Sequence, residues 1–318
     1  MPLLKSFSKL FLTASSFALL AGCDAVVMSP SGDVAVQQRD LIIWSTILML
    51  LIIVPVIILT LFFAWRYRAS NTKATYKPEW DHSTVLELVI WSAPLMIIIA
   101  LGALTWVTTH QLDPYRPLDR IGPDRPVTAE MKPLVIEAVS MDWKWLFFYP
   151  EQGIATVNEI AAPVDRPIQF KITSTANMNS FFIPALAGQI YAMGGMETKL
   201  HAVINKPGVY KGFSANYSGA GYSDMKFKFH GVSDADFDSW VQKVKDQGDD
   251  LSYAKYRKLE EKSVNDPVHY YSSVADGLYD KILNRCIDPG TVCMKDLMSS
   301  HPIHEGGEHE ESAHEHEE

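Results

Sequence analysis

Two long runs without a charged residue place the strongest constraint on how this chain can fold. Residues 41–65 (LIIWSTILMLLIIVPVIILTLFFAW) and 88–109 (LVIWSAPLMIIIALGALTWVTT) contain only apolar and uncharged polar side chains. As a helix rising ~1.5 Å per residue, each run is long enough to cross a hydrocarbon layer of ~30 Å. The sequence therefore predicts a transmembrane helical hairpin within residues 23–112.

The charges of the connecting segment predict how this hairpin is oriented. Four basic residues lie between the two apolar runs, namely Arg66, Arg68, Lys73 and Lys77. Because positively charged loops stay in the cytoplasm, both outer ends of the hairpin should face the other side. We therefore expect a protein of the bacterial inner membrane, with its large C-terminal domain in the periplasm.

The N-terminus has the pattern of a targeting signal. Lys5 and Lys9 precede an apolar segment that ends in small residues and Cys23. This order predicts a cleaved lipoprotein signal over residues 1–22, with the thiol of Cys23 acylated. An ordinary signal peptide with a chance cysteine is the alternative.

Short alternating segments, bounded by proline and glycine, follow the hairpin. In residues 225–232 (MKFKFHGV), Met225, Phe227 and Phe229 alternate with basic side chains. Segments of this kind predict a β-sandwich over residues 125–233.

Helical spacing then replaces alternation in residues 234–300. The apolar side chains that recur every three or four positions are Phe237, Trp240, Val241 and Val244. They predict an amphipathic helix, and a second short helix is expected over residues 273–285. Residues 301–318 hold five of the ten histidines among seven acidic residues. We expect this tail to be disordered, with loose metal binding as the alternative.

Charge and cysteine content narrow the function further. The formal net charge of −9, with no basic stripe in the sequence, argues against a nucleic-acid partner. Cys286 and Cys293 flank a Pro–Gly pair. In an oxidising compartment this spacing permits a disulfide, and two unpaired thiols are the alternative.

Three segments resemble subunit II of the haem–copper respiratory oxidases. They are residues 142–163 (DWKWLFFYPEQGIATVNEIAAP), 179–196 (NSFFIPALAGQIYAMGGM) and 212–229 (GFSANYSGAGYSDMKFKF). The resemblance runs from about residue 20 to about residue 300 and fits the quinol-oxidising branch of that family. It implies a membrane-anchored α+β fold, in which a two-helix transmembrane hairpin precedes a cupredoxin-like β-sandwich and a C-terminal helical extension.

The copper ligands of the family are missing from the matching loop. In cytochrome c-oxidising members the loop has the form C-x-E-x-C-x-x-x-H-x-x-M, and a further histidine lies earlier, shortly before a proline. The matching residues here are Ser214, Asn216, Ser218, Tyr222 and Met225, with Asn179 at the earlier histidine position. Serine hydroxyls keep their protons near neutral pH and cannot bridge copper as thiolates do. We therefore expect this chain to bind no metal and to contain neither a redox centre nor a catalytic residue.

The resemblance also implies a role and partners. It is that of a structural and assembly subunit of a proton-pumping ubiquinol oxidase that reduces oxygen to water. Haems, copper and ubiquinol are expected in subunit I, the main contact, and subunits III and IV and membrane lipids are further expected partners. Without copper beneath them, Trp143 and Trp145 are expected to serve in core or interface packing.

The resemblance implies a site on the cytoplasmic side as well. Glu87 lies at the start of the second apolar run, where the family has a carboxylate at the entrance of a proton pathway into subunit I. From the residues alone, an acid in this place is usually an interfacial or helix N-terminal charge, and Glu79 and Asp81 are nearby alternatives for the proton path.

Two other functions are weighed against this one. The first is a free-standing membrane lipoprotein that delivers copper through its His-rich tail. The second is a subunit II of a cytochrome c oxidase, which would need copper ligands from outside the loop.

Overall fold

The computed structural model describes residues 25–75, 77–175 and 177–300. Within these ranges the helices are α1 (Asp33–Arg66), α2 (Thr84–Gln111), α3 (Asp234–Gln247), α4 (Tyr253–Glu260), α5 (Leu278–Leu283) and α6 (Met294–Ser300). The strands are β1 (Arg120–Gly122), β2 (Arg125–Pro126), β3 (Leu134–Met141), β4 (Lys144–Tyr149), β5 (Ile154–Val157), β6 (Glu159–Pro163), β7 (Ile168–Ser174), β8 (Asn179–Phe182), β9 (Ile190–Ala192), β10 (Thr198–Ala202), β11 (Gly208–Ser214), β12 (Lys226–Val232), β13 (Asp249–Leu251) and β14 (His269–Val274).

The helices α1 and α2 form the predicted hairpin, and both are long and apolar enough to span a membrane. The most apolar stretch of each helix has no buried residue, so these surfaces are available to lipid or to a partner. Both helices continue through a proline, Pro55 in α1 and Pro94 in α2. The signal over residues 1–22 and the lipidation site Cys23 lie outside the described residues.

The helix α1 starts at Asp33 rather than at residue 41, because its first turn packs into the outer domain. The backbone N–H groups of Ser31 and Gly32 both donate to the carbonyl of Ala185 at 2.9 Å. Asp33, which is 3% exposed, accepts from Arg120 Nε at 2.9 Å. A Cβ at Gly32 would lie 2.4 Å from the carbonyl oxygen of Val203, so only glycine permits this approach. The hairpin and the outer domain are therefore joined at a tightly packed contact.

The outer domain is a β-sandwich of two sheets. One sheet has seven strands in the order β10-β7-β3-β4-β5-β14-β13, and the other has five in the order β6-β12-β11-β8-β9. On β12, Phe227 and Phe229 are buried while Lys226 and Lys228 are exposed, as the alternation predicts. The core between the sheets contains an aromatic cluster formed by Trp145, Phe147, Phe181 and Phe227.

The part of the helical extension from Leu251 onward covers the outer face of the seven-stranded sheet, whereas α3 packs against the core between the sheets. Every residue of β4 is buried, because Trp145 and Phe147 face the five-stranded sheet while Leu146 and Phe148 face the extension. Because this strand is buried on both faces, it has a continuous run of apolar residues instead of an alternating pattern, which explains the aromatic sequence of residues 145–149. The extension also contributes the strands β13 and β14 to this sheet.

The expected helix over residues 273–285 is wrong in its bounds. Residues up to Val274 belong to β14, and the helix α5 covers only Leu278–Leu283. The alternation of β14 is weak, since its residues His269–Val274 have only one buried member, Tyr271. The preceding helix α3 is as predicted, with Phe237, Val241 and Val244 buried.

A polar cluster around Glu159 ties the extension to the sandwich. Its carboxylate accepts from Tyr270 Oη at 2.7 Å and Trp240 Nε1 at 3.2 Å, and His230 Nε2 lies 3.6 Å away. The His230 imidazole above all, then the Tyr270 hydroxyl and the Trp240 indole, lower the pKa of Glu159 to about 2, although burial opposes them. The charged carboxylate therefore links the strands β6, β12 and β14 with the helix α3.

We expect the substitution Glu159→Gln to lower the free energy of unfolding by about 2 kcal/mol at neutral pH, because it removes hydrogen bonds to a charged acceptor. The folded-state pKa lies below the unfolded value, so this stabilisation is complete above about pH 4.5 and is lost as the pH falls through about 2. Urea unfolding of the unsubstituted chain and of the Glu159→Gln variant at several pH values measures this loss of stability. A difference in stability that stayed constant down to pH 2 would contradict the charged cluster.

Candidate functional site

The loop at the copper-ligand positions joins β11 to β12 at one end of the five-stranded sheet. The strand β8 pairs with β11, so that Ser214 lies opposite Phe181. The backbone N–H of Ser214 donates to the carbonyl of Met225 at 3.1 Å, and that of Ala215 donates to Ser180 at 2.9 Å. This pairing brings Asn179, at the start of β8, next to a loop more than thirty residues away in sequence.

Two of the predicted positions meet directly in a buried hydrogen bond. The hydroxyl of Ser214 donates to Asn179 Oδ1 at 3.0 Å, and each residue is 2% exposed. Asn216 Nδ2 donates to the carbonyl of Met178 at 3.0 Å, which fastens the loop to the residue before β8. The amide and hydroxyl groups are therefore engaged with one another and with the backbone.

The indole of Trp143 holds the tip of the loop. Its Nε1 donates to the carbonyl of Ser218 at 3.0 Å. A Cβ at Gly221 would lie 2.4 Å from Trp143 Cδ2, and Gly219 has φ +111°, which favours glycine. Trp143 packs on the loop, whereas Trp145 is fully buried in the core.

The side chains at Tyr222, Met225 and Ser218 make no hydrogen bond with the Asn179–Ser214 pair among the described residues. Tyr222 makes an edge contact with Tyr217, their ring centroids 5.6 Å apart, and Tyr217 is 75% exposed. Met225 is buried in the core between the sheets. The hydroxyl of Ser218 is buried and has no hydrogen-bond partner among the described residues.

This donor set does not suit a copper centre. Copper sites of this kind rely on thiolate and imidazole ligands, and the loop offers neutral hydroxyl and amide groups with one thioether. The Ser218 hydroxyl, although unpaired, is a single neutral oxygen and cannot replace a bridging thiolate. Within residues 25–75, 77–175 and 177–300, no group of three His, Cys, Asp or Glu side chains is placed to hold a metal ion.

Glu87 lies in the first turn of α2, at the end where the hairpin turns. Its Oε1 is 2.7 Å from His82 Nδ1 and accepts a long bond from the backbone N–H of Ser83 at 3.4 Å. A carboxylate in this turn is stabilised by the partial positive charge of the helix N-terminus. In the chain by itself, the side chain of Glu87 is 47% exposed. Sequence reasoning missed His82, because a polar residue in a loop gives no periodic signal.

Cys286 and Cys293 form a disulfide after α5. The bond closes the turn that leads into α6, where the backbone N–H of Met294 donates to the carbonyl of Asn284 at 2.9 Å. The Met294 sulfur would be only 2.8 Å from a Cβ at Gly195, so this segment packs closely on the loop after β9. The disulfide therefore clamps the last described segment onto the sandwich. The acidic tail, residues 301–318, lies outside the described residues.

Replacing both cysteines by serine is expected to lower the free energy of unfolding by about 2–3 kcal/mol, since the unfolded chain regains the freedom of a short closed loop. Urea unfolding of the purified chain measures this loss. Reductant should destabilise the unsubstituted chain by a similar amount and leave the serine variant unchanged. An effect of reductant on the serine variant would contradict this assignment.

Family models and known relatives agree on one family. The model described as the periplasmic domain of cytochrome c oxidase subunit II matches residues 151–232, and the COX Aromatic Rich Motif matches residues 245–290. The second match covers much of the extension on the outer face of the seven-stranded sheet.

Three relatives extend the similarity to most of the chain. Subunit 2 of the cytochrome bo(3) ubiquinol oxidase of Pseudomonas aeruginosa is 51% identical over 94% of this chain and 87% of its own length. Ubiquinol oxidase subunit 2 of Acetobacter aceti is 50% identical over 85% of each chain. Quinol oxidase subunit 2 of Bacillus subtilis is 41% identical over 76% of this chain and 73% of its own.

Proposed function

The chain belongs to the subunit II family of the haem–copper quinol oxidases, and from that premise we propose that it serves its complex without a metal or redox centre of its own. The observation that carries this proposal is the hydrogen bond between Ser214 and Asn179, at a cysteine and a histidine position of the copper site. Because these groups are neutral and engaged with each other, electrons have no relay in this domain.

Ubiquinol is the electron donor and oxygen the acceptor in this proposal. The relatives similar over most of the chain are named for ubiquinol or quinol oxidation. A membrane-soluble donor can reach haem within the bilayer, so a copper relay in the periplasmic domain is not needed. The haems, the oxygen-reducing copper and the quinol site then lie in subunit I, where oxygen is reduced to water and protons are pumped.

The chain itself acts in assembly and in proton supply. The unburied apolar faces of α1 and α2 suit packing against subunit I, and subunits III and IV complete the complex. Glu87 is the entrance carboxylate of a proton path into subunit I, supported by its exposure and its position at the start of α2. Acylated Cys23 adds a lipid anchor at the periplasmic surface of the inner membrane.

Purification of the membrane complex through a tag on this chain tests the proposal. We expect haem to copurify and oxygen uptake to start with ubiquinol but not with reduced cytochrome c. Uptake driven by reduced cytochrome c would favour the copper-containing branch. A chain that purifies alone, free of haem, would favour a free-standing lipoprotein that delivers copper.

A further inference from the structure

A cavity of about 470 Å³ lies where the hairpin meets the outer domain. Gln37 and Gln38 of α1 and Gln111 of α2 contribute to its wall, and β10 contributes His201. The segment between α2 and β1 supplies charged groups from Arg116 and from Arg120, at the start of β1. Both membrane helices and the sandwich therefore contribute residues to the cavity wall.

The position of the cavity along the helices places it in the lipid headgroup layer. Gln38 lies three residues before the uncharged run that begins at residue 41, and Gln111 lies two residues after the run that ends at residue 109. At ~1.5 Å per residue, both glutamines lie only a few ångströms outside the apolar spans. Headgroups occupy this zone on each side of a hydrocarbon core of ~30 Å.

A largely buried imidazole is part of the cavity wall. His201 is 9% exposed, and its ring nitrogens are open to the cavity rather than enclosed by protein. Burial, with a smaller contribution from Lys199, lowers the pKa of His201, so its imidazole is neutral at neutral pH. A neutral imidazole whose ring nitrogens are open to a cavity has one N–H that can donate a hydrogen bond to a ligand held there.

The wall contains charged groups of both signs. Two guanidinium groups, of Arg116 and Arg120, stand against two carboxylates, of Asp113 and Asp119. Arg116 pairs with Asp119, and Arg120 pairs with Asp33, which lies beside the cavity. Each guanidinium has five N–H donors, so donors remain for a phosphate after these contacts. A wall of this kind suits a ligand that carries both a phosphate and an ammonium group.

We propose that this cavity binds the headgroup of a zwitterionic phospholipid, with the phosphate held by Arg116, Arg120 and His201. The ammonium group lies against the carboxylates of Asp113 and Asp119. The acyl chains run along the outer ends of α1 and α2 into the bilayer. A lipid bound in this way fixes the height of the sandwich above the membrane, independently of the electron donor proposed above.

Two substitutions test the site by different means. Gly188→Leu fills the cavity, since a Cβ at Gly188 would already lie 2.7 Å from Gln38 Nε2, the end of a flexible side chain. His201→Leu keeps the volume of the side chain and removes its polar atoms. His269→Leu is the matched control, because β14 lies near the other edge of the seven-stranded sheet from β10.

The measurement is native mass spectrometry of the whole complex, released from nanodiscs of equal phosphatidylethanolamine and phosphatidylglycerol. We expect phosphatidylethanolamine bound to this chain, at least tenfold lower occupancy in Gly188→Leu and His201→Leu, and normal occupancy in His269→Leu. Ubiquinol oxidation is measured for each variant as a control, because a rate like that of the wild type shows that the complex is intact.

Four results would overturn the proposal. The first is a wild-type complex whose chain retains no lipid, as when a partner subunit fills the cavity. The second is equal lipid occupancy in the wild type and in all variants. The third is preference for phosphatidylglycerol, which excludes a zwitterionic headgroup. The fourth is displacement of the lipid by millimolar inorganic phosphate, which indicates a simple phosphate site.

Discussion

Restoring the copper ligands of the family is expected to convert this domain from one that retains no copper into one that holds it stoichiometrically. The substitutions are Asn179→His, Ser214→Cys, Asn216→Glu, Ser218→Cys and Tyr222→His. The backbone already brings the first two positions together, since Ser214 Oγ and Asn179 Oδ1 are 3.0 Å apart. Thiolates and imidazoles then supply the soft ligands that the hydroxyl and amide groups cannot.

Copper content after dialysis and a thiolate-to-copper absorption band measure this gain. The matched control carries the same changes except that Ser218 becomes alanine, so that one bridging thiolate is missing. Since Gly219 and Gly221 with Trp143 set the path of the loop, the variant should keep its fold. A folded variant without copper would show that the loop no longer has the geometry of a copper site.

Glu87→Gln is expected to slow ubiquinol oxidation by about a hundredfold, at the low end of what a positioned proton-transfer group contributes. The amide keeps the shape of the side chain and cannot carry a proton to the path. Because the quinol site is proposed to lie in subunit I, the KM for ubiquinol should stay the same. Steady-state oxygen uptake by the purified complex measures both quantities.

Two further variants separate proton supply from structure at this position. Glu87→Asp retains a carboxylate in the first turn of α2 and should recover part of the turnover. Glu79→Gln, in the segment that joins α1 to α2, should have little effect. If Glu87→Gln turned over normally while Glu79→Gln or Asp81→Asn was slow, the entrance would lie at one of those carboxylates instead.

Much of the fold can be predicted from the spacing of apolar residues along the chain. The uncharged runs predict α1 and α2, and the alternation of Met225, Phe227 and Phe229 predicts the buried face of β12. The sequence shows these patterns because all residues on one face of a helix or strand meet the same environment, which is either lipid or the protein core. The helix α3 was predicted for the same reason.

The contacts that join these elements could not be predicted from the sequence. Nothing near Asp33 indicates that it pairs with Arg120, 87 residues away, and so extends α1 beyond the membrane. The cluster around Glu159 and the strands β13 and β14 likewise depend on partners distant in sequence. Isolated polar residues and short strands have no period, so only the tertiary fold reveals their roles.

The sequence predicted which residues occupy the candidate site, but not how their side chains are arranged. Resemblance to the family picked out Asn179 and Ser214, and the structure joins them in a hydrogen bond. It did not indicate that Met225 packs in the core, that Tyr222 packs on Tyr217, or that Trp143 holds the loop tip. These contacts depend on how the side chains pack, and a pattern of ligand positions contains no information about packing.

The central claim, that this chain contains no metal centre, is tested most directly by copper retention. The chain with its hairpin, ending at Ser300 so that the His-rich tail is removed, is loaded with copper in detergent and dialysed. The account predicts a colourless protein without retained copper. Stoichiometric copper with a thiolate or imidazole signature in this truncated chain would contradict it.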